Sequence, residues 1–568
     1  MQVVPPYPPN TVDLPAVYEN STTPFANETV ELTKQAYIKL TWEANYWKVQ
    51  HGRACKREDA LKKKLAQSQA KIRDLQQRLY GKKSEKGKKD GPETQRRSLR
   101  KRGQQKGSKG HGRTPRPHLP VVEQELDMDQ KQCPICEKPF DEFKGTENSE
   151  VIEIQVKGYI RRIKRKRYKK TCQCEKTPGI ITAPVAPRLI AKSPLGISVW
   201  TEILLNKFLY AQPLNRLCKD FGYLGLPVSQ GTITGGLKRL LRLFEPLVQA
   251  MLEKQMTERL FHGDETRWMV FESVEGKTGY RWYLWITQSD SVIYYRVAPS
   301  RGTDVALEHF SGLPEDIDKV ILVCDRYSAY KRLAKLCPVI LLAFCWAHVR
   351  RDFLDAARRW PELEAWMFAW IEDIGELYRL NAKRLEHWDE TRAFSKQSPA
   401  FIERHQALVQ KLTGMAKRRD FYLGQDTIHS AQKAALKSLK NHWFGLSVFV
   451  EHPKVPMDNN KAERSIRNPV TGRRNYYGSG SIWSAGLAAM QFTLLQTILH
   501  WGLNPRHWLH SFLSACADNG GNPPEDLSPF LPWQMEQACQ VELSRPLPPD
   551  ERWIQPGMPD IPEIRDTS

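Results

Sequence analysis

Short apolar runs separated by turn residues predict a set of β-strands in the middle of the chain. Their lengths and their content of β-branched and aromatic residues are typical of strands buried in a sheet. The runs cover residues 260–271, 280–286, 292–297, 320–325 and 338–344. A segment with helical spacing begins at Thr303 and separates the third run from the fourth.

The order strand, strand, strand, helix, strand is typical of the opening of an RNase H-like α/β fold with a mixed five-stranded sheet. The first and fourth strands lie side by side in that fold, and here they carry Asp264 and Asp325 near their ends. Neighbouring carboxylates raise one another's proton affinity unless a cation lies between them. Mg²⁺ is a suitable cation for a pair of carboxylates because it prefers oxygen ligands. The alternative is that each aspartate is simply a turn residue.

A third acid, Glu463, lies in a short predicted helix much further along the chain. Asn459 or Asn460 is expected to cap this helix, and Pro469 to end it. Asn459, Glu463 and Arg467 then lie on one face, because they are spaced by four residues. A third carboxylate favours a shared metal site over unrelated turn residues.

Three other parts of the chain have helical patterns. A 3-4 apolar spacing between residues 37 and 79 predicts a coiled coil that joins two chains, with a single helix packed on its own domain as the alternative. Residues 193–251 have helix-turn-helix spacing, although they could equally form a supporting bundle. Residues 352–451 predict a helical insertion before Glu463, whose aromatic residues are more often core than base-stacking platforms.

Composition changes this picture mainly through charge. The chain has 568 residues and a formal net charge of +22, which favours a polyanionic partner, with nucleic acid as the first candidate. Residues 81–120 are especially basic and predict a flexible arm or solvated linker. No run of about 20 apolar residues stands out as a membrane span, so we expect a cytoplasmic protein.

The eleven cysteines do not suggest a disulfide framework. Cys133 and Cys136 form one close pair, and Cys172 and Cys174 form another. Two such pairs around a hairpin, with a strand-like run at 151–156, predict a structural Zn²⁺ site, and buried or free thiols are the alternative. A basic block beside the second pair is a candidate DNA-binding surface. Its residues include Arg161, Arg162, Lys164 and Arg165.

Cys345 and His348 provide only half of a metal site in the sequence. No second half is evident nearby, so a core cysteine and a positioned histidine are favoured over a zinc site.

Four sequence boxes carry a resemblance to a known family. They are Asp264-Glu-Thr-Arg-Trp, Cys324-Asp-Arg-Tyr-Ser-Ala-Tyr, Cys345-Trp-Ala-His-Val-Arg-Arg-Asp-Phe and Asp458-Asn-Asn-Lys-Ala-Glu-Arg-Ser-Ile-Arg. With a Leu-Pro-Trp at 531–533, they resemble the insertion sequence 66 family of bacterial DDE transposases over nearly the whole chain.

The resemblance implies a catalytic triad of Asp264, Asp325 and Glu463 that holds two Mg²⁺ or Mn²⁺ ions. It also implies double-stranded DNA as partner, both the terminal repeats of the element and target DNA, with possible accessory proteins from the same element. Four arginines after the third acid are candidate DNA contacts: Arg464, Arg467, Arg473 and Arg474. Supporting roles beside the metal ligands fall to Cys345, His348, Asn459 and Asn460. An inactive DNA-binding regulator and a nuclease without joining activity are the alternative functions.

The predicted organisation places nine segments along the chain. In order they are a loose N-terminus (1–30), a coiled-coil helix (31–80), a basic linker (81–120), a zinc-finger-like module (121–185) and a helical domain (190–256). Then come the first part of the RNase H-like core (257–350), the helical insertion (351–452), the last part of the core (453–512), and a C-terminal element with an acidic tail (513–568).

Overall fold

The computed structural model describes residues 31–80, 131–140, 156, 158–173, 175–176, 178–275 and 279–547. The loose N-terminus, the basic linker, most of the strand-like run at 151–156, Cys174 and the end of the acidic tail lie outside these residues. The chain divides into two compact units. One combines residues 1–94 with 351–372, and the other combines 95–350 with 373–568.

The first unit is dominated by a single long helix, α1 (Lys34–Tyr80). The helix confirms the helical prediction for this segment, but a coiled coil stays a prediction. Among the described side chains of its apolar seam, Tyr37, Leu61 and Leu65 are exposed. In the same unit Arg73 donates to the backbone oxygen of Arg359 at 2.9 Å.

In the second unit, the described residues around the two cysteine pairs include two small antiparallel pairings. An isolated bridge joins Gln132 to Pro139 around the first cysteine pair. Strands β1 (Arg167–Lys169) and β2 (Ile180–Thr182) pair antiparallel on either side of the second.

A helical segment follows. It contains α2 (Ile197–Leu204), a π-helical turn (Leu205–Leu209), α3 (Leu214–Tyr223) and α4 (Gln230–Met256). The Ser229 hydroxyl caps α4 by accepting the backbone N–H of Thr232. Gly225, with φ of 75°, makes the turn after α3, in the left-handed region that glycine adopts without strain. The two predicted helices are present, and their DNA-reading role stays a prediction.

The central sheet has the predicted strands in the predicted order. They are β3 (Leu260–Met269), β4 (Arg281–Gln288), β5 (Ile293–Ala298), β6 (Val320–Cys324) and β7 (Ile340–Phe344). The sheet order is β5-β4-β3-β6-β7, in which β3 is antiparallel to β4 and parallel to β6. The first and fourth strands of the sheet are therefore neighbours, as the RNase H-like expectation requires.

Most of the described residues outside the sheet from Thr303 onward are helical. Between the strands lie α5 (Thr303–Phe310) and α6 (Ser328–Leu336), and after them come α7 (Trp346–Arg359), α8 (Glu364–Leu385), α9 (Pro399–Leu423), α10 (Ser430–Asn441), α11 (Trp443–Glu451), α12 (Asn460–Ser465), α13 (Arg467–Tyr476), α14 (Ile482–His500), α15 (Pro505–Asp518) and α16 (Gln537–Ser544). The insertion is helical as predicted. Several of its large aromatics are core, since Phe353, Trp370 and Phe401 are fully buried.

The helix α14 closes one edge of the sheet. The hydroxyls of Thr497 and Thr493 accept the backbone N–H groups of Ile293 and Tyr295 on the edge strand β5. This covers polar groups that would otherwise attract another strand. The same helix corrects the expectation about membrane spans: it is long and apolar enough to cross a membrane, yet 61% of its most apolar window is buried inside the protein.

One apolar core joins the helical segment to the sheet. Trp200 of α2 and Phe244 of α4 belong to the same buried cluster as Trp268 of β3 and Phe492 of α14. The Trp268 and Phe492 rings meet edge to face with centroids 5.9 Å apart. Helices and sheet therefore support each other through shared burial, which fixes the strands that carry the candidate site.

Candidate active site

Two of the predicted acids lie level with each other on neighbouring parallel strands. His262 of β3 is in register with Val323 of β6, and Asp264 and Asp325 each lie two residues further along. Side chains alternate along a strand, so Asp264 points to the same face as the buried His262. Asp325 begins the turn after β6, where its carboxylate accepts the backbone N–H of Tyr327 at 2.9 Å.

The helix α12 brings Glu463 to this face through Asn459. Asn459 is 1% exposed, and its side-chain amide donates to the backbone oxygen of Gly263 at 2.7 Å. Its side-chain oxygen lies 3.1 Å from Nδ1 of His262. The expected capping by the Asn459 side chain is therefore wrong: that side chain joins the helix to β3 instead.

The end of this helical segment also differs from the prediction. Pro469 lies in the first turn of α13 and does not end a helix. A proline is tolerated there because the first backbone N–H groups of a helix have no partner within the helix. A break between Ser465 and Arg467 separates α12 from α13.

The pKa of Asp264 is influenced by both of the other candidate acids. Burial, the principal cause, raises the pKa of Asp264 to about 7, and the charge of Glu265 adds to the effect. The Glu265 backbone N–H acts in the opposite direction, while the charges of Asp325 and Glu463 raise the pKa further. A cluster of this kind is stabilised by a bound cation, which removes both the mutual repulsion and the need for a proton.

Glu265 has a structural partnership that the sequence patterns did not suggest. Its side chain is 2% exposed and pairs with Arg301 at 2.5 Å. Tyr330 donates its hydroxyl to the same carboxylate at 2.7 Å. The Arg301 guanidinium also lies over the Tyr327 ring, 3.9 Å from its centroid. This network therefore braces both β3 and the turn that begins at Asp325.

Cys345 and His348 gain a third partner from a distant part of the chain. Ligand atoms of Cys345, His348 and Glu463 all lie within 4.8 Å of one another, and the group could hold a metal ion. His348 Nε2 is 3.7 Å from Glu463 Oε1. The sequence did not reveal this third group, because it comes from α12 and not from nearby residues, and Cys345 is a core cysteine as expected.

Comparison with known proteins decides the family. Residues 192–486, just over half of the chain, match the model described as Transposase IS66 family. The chain belongs to this family. The matched region runs from the helical segment through β3, β6 and α12, so it includes all three acids.

Other relatives of this IS66 family member are described only as uncharacterized. Protein y4jD of Sinorhizobium fredii is 26% identical over 471 residues, which cover 80% of this chain and 86% of the relative. Protein y4hP of the same organism is 24% identical and covers 70% of this chain and 72% of its own length. A Drosophila P element transposase strand transfer complex aligns with 10% identity and a TM-score of 0.30, covering 52% of this chain and 90% of that one.

The candidate DNA-contacting arginines of this IS66 family member differ in how exposed their side chains are. Arg464, Arg467 and Arg474 are exposed. Arg473 is partly buried and donates to the Thr266 hydroxyl at 2.8 Å and to the backbone oxygen of Arg267. Arg473 therefore braces β3, and DNA contact by the three exposed arginines stays a prediction.

The glycine-containing stretch after these arginines does not lie beside the acids. Ser479 exchanges backbone hydrogen bonds with the end of β3, accepting from Phe271 and donating to Met269. At about 3.4 Å per residue, Met269 is roughly 17 Å along the strand from Asp264. A Cβ on Gly478, whose φ is 144°, would collide with the Met269 backbone oxygen, so this stretch packs too closely for other residues.

The structure describes three of the four candidate zinc ligands. Cys136 and Cys172 are exposed and Cys133 is partly exposed, while Cys174 lies outside the described residues. Backbone N–H groups of Ile135 and Cys136, and then the Cys136 thiol, lower the pKa of Cys133. The nearby Arg161, Arg162, Lys164 and Arg165 are all exposed. Zinc binding stays a prediction.

Replacing Asn459 with Ala is expected to lower the free energy of unfolding by about 1–3 kcal/mol, because the Gly263 oxygen would be left buried without its donor. The matched control is Asn460→Ala, since Asn460 is exposed and should change stability by less than about 0.5 kcal/mol. Urea unfolding of both full-length variants measures the difference. Equal losses would show that the Asn459 side chain does not join α12 to β3.

Proposed function

We propose that this IS66 family member is a DDE transposase that cleaves DNA at the ends of an insertion sequence and joins those ends to target DNA. The proposal is supported by the register that aligns Asp264 of β3 with Asp325 after β6, and by the charges of Asp325 and Glu463, which both act on Asp264. We infer the RNase H-like assignment of the catalytic core from the same strand order.

The acids fit a pair of Mg²⁺ or Mn²⁺ ions. Their donors are all carboxylate oxygens, which these ions prefer. Burial is the main cause that raises the pKa of Asp264, and the charges of Asp325 and Glu463 add to it. When bound, such a pair would supply nucleophile activation and charge stabilisation for in-line displacement at phosphorus.

The protein itself would position the reacting groups. Asp264 and Asp325 are held by strand register and the Tyr327 N–H, and Glu463 is held through Asn459. The exposed Arg464 lies on the Glu463 helix, and the exposed Arg467 begins the next helix. Their guanidinium groups would bind the phosphates of the scissile strand. The high net charge would add sequence-independent attraction to DNA.

A Mg²⁺-dependent assay with labelled element ends and a plasmid target tests the proposal. Joined products that depend on Mg²⁺ or Mn²⁺ are expected. Cut products without joining would indicate a nuclease, and retention of the ends without cutting would indicate an inactive DNA-binding regulator. Either of the latter outcomes would overturn the proposed joining function.

Two accessory features belong to the same proposal. The cysteine turns would hold a structural Zn²⁺ ion beside the basic block that contains Arg161 and Arg165, which would contact phosphate.

The helix α1 would join two copies of the chain, a state suited to an enzyme that must hold two DNA ends. We further propose a cytoplasmic, nucleoid-associated location and possible help from other proteins of the same element.

Charges placed in the α1 seam test the oligomer. Leu65→Asp with Ile72→Asp is expected to convert a dimer to a monomer, because both exposed apolar side chains lie on the predicted seam. Gln69→Asp with Gln76→Asp places the same charges at the same spacing off the seam and should leave the dimer intact. Light scattering after size-exclusion chromatography measures the mass. A wild-type chain that is monomeric at micromolar concentration contradicts the coiled coil.

A further inference from the structure

We propose that Cys345, His348 and Glu463 form a second metal site, selective for zinc-class ions, that shares Glu463 with the magnesium centre. The site itself follows from side chains whose ligand atoms lie within 4.8 Å of one another. Its sharing of Glu463 rests on the proposed function, which assigns this carboxylate to Mg²⁺.

The spacing of the three groups is close to what a tetrahedral ion requires. Zinc bonds of about 2.0–2.3 Å to nitrogen, oxygen and sulfur place neighbouring ligand atoms roughly 3.3–3.6 Å apart. His348 Nε2 and Glu463 Oε1 are already 3.7 Å apart. A small side-chain rotation would therefore bring these two atoms to tetrahedral spacing.

Local structure places the thiol and the imidazole together. Cys345 directly follows β7, and His348 lies in the first turn of α7, three residues later. The first turn of a helix brings such residues to one side of its N-terminus. Cys345 is fully buried, and its backbone N–H donates to the Cys324 oxygen at the end of β6, so the sulfur has a fixed position.

Two opposing influences act on the sulfur: burial raises the pKa of Cys345, and backbone N–H donors lower it. Backbone N–H groups of Asn459, His348 and Ala347 all donate to Cys345, with the Asn459 nitrogen 3.3 Å from Sγ. Such donors stabilise a thiolate. Burial has the larger, opposite effect and raises the pKa of Cys345, so a metal ion must displace the thiol proton as it binds.

The donor set selects the class of ion. Sulfur, nitrogen and one carboxylate oxygen suit Zn²⁺ or Co²⁺, whereas Mg²⁺ prefers oxygen alone. Three protein ligands leave one position open to water, and His348 and Glu463 are each about a quarter exposed, so the open position can face solvent.

Sharing Glu463 makes the two sites antagonistic. The charge of Glu463 acts on Asp264, yet its carboxylate also lies beside His348. A zinc-class ion that binds this carboxylate would reduce its availability to Mg²⁺, and the reverse also holds because binding linkage is reciprocal. Zinc-class ions should therefore oppose loading of the magnesium centre.

Cobalt titration of the full-length protein tests the site without any DNA reaction. Co²⁺ bound to Cys345 should give thiolate-to-cobalt charge-transfer absorbance, which Cys345→Ser should remove and His348→Gln should shift to at least about 10-fold higher Co²⁺ concentration. Because other cysteines can bind cobalt, the signal is the difference from Cys345→Ser. Cys337→Ser removes a cysteine outside the group and is the matched control. Circular dichroism verifies that each variant folds.

Magnesium competition separates the two proposals. Millimolar Mg²⁺ should weaken cobalt binding at Cys345 in the wild-type chain, and Asp264→Asn should abolish this competition. A cobalt signal identical in wild type, Cys345→Ser and His348→Gln would overturn the second site. Cobalt binding that ignores Mg²⁺ would keep the zinc-class site and overturn its sharing of Glu463, whatever the DNA assay shows.

Discussion

Replacing Asp264 with Asn is expected to slow both DNA cleavage and strand joining by about a thousandfold or more. Loss of a carboxylate that holds the metal pair removes several kcal/mol of transition-state stabilisation, and each 1.36 kcal/mol corresponds to a factor of ten in rate. Asp325→Asn and Glu463→Gln should have effects of the same order, because the charges of both acids act on Asp264. Rates with labelled element ends and a plasmid target measure all three.

Binding of the element ends should survive these changes. Each substitution keeps the size of the side chain and removes one negative charge, so attraction to DNA should not fall. The control is Asp316→Asn, an exposed acid outside the site, which should leave cleavage and joining unchanged. Near-normal joining by any one of the three active-site variants would contradict the assignment of that residue.

Replacing Arg301 with Ala is expected to lower the free energy of unfolding by about 3 kcal/mol, at the lower end of the range for breaking a buried pair. Glu265 is 2% exposed and would keep Tyr330 as a hydrogen-bond donor but lose its charge partner. The lower value is chosen because Arg301 itself is 41% exposed. Removing the guanidinium from the Tyr327 ring should also loosen the Asp325 turn and slow cleavage.

A second arginine provides the control for this prediction. Arg296 pairs with Glu308 at 2.7 Å, but Glu308 is 65% exposed, so Arg296→Ala should cost less than about 1 kcal/mol. Adding Glu265→Gln to Arg301→Ala should recover part of the lost stability, because no buried charge then lacks a partner. Urea unfolding measures all of these variants. Equal effects of Arg301→Ala and Arg296→Ala would show that burial of Glu265 does not matter.

Local sequence patterns were sufficient to predict the strands of the central sheet. The five apolar runs became the five strands within a few residues of their predicted ends, and the helix at Thr303 lies where its spacing indicated. These predictions succeeded because strand formation depends on short-range alternation, apolar character and turn residues. The order of the elements then limited the topology, and Asp264 and Asp325 lie on adjacent strands as expected.

The helix that carries Glu463 was predicted less accurately. Its position was correct, but Asn459 uses its side chain to bind β3, and Pro469 begins rather than ends a helix. Capping rules describe what a residue does when nothing else competes for it. In this protein Asn459 is buried against Gly263, 196 residues away, and that contact replaces the local one.

The amino-acid sequence by itself determined the family and the strand order and pointed to three candidate acids, because these depend on residue types at fixed spacings along the chain. Only the tertiary structure decided that Glu265 pairs with Arg301 and that Glu463 approaches Cys345 and His348. The Asn459–Cys345 contact beside them spans 114 positions of the chain. Contacts over such separations are set by how the helices and the sheet bury their shared surfaces, and a local pattern carries no information about them.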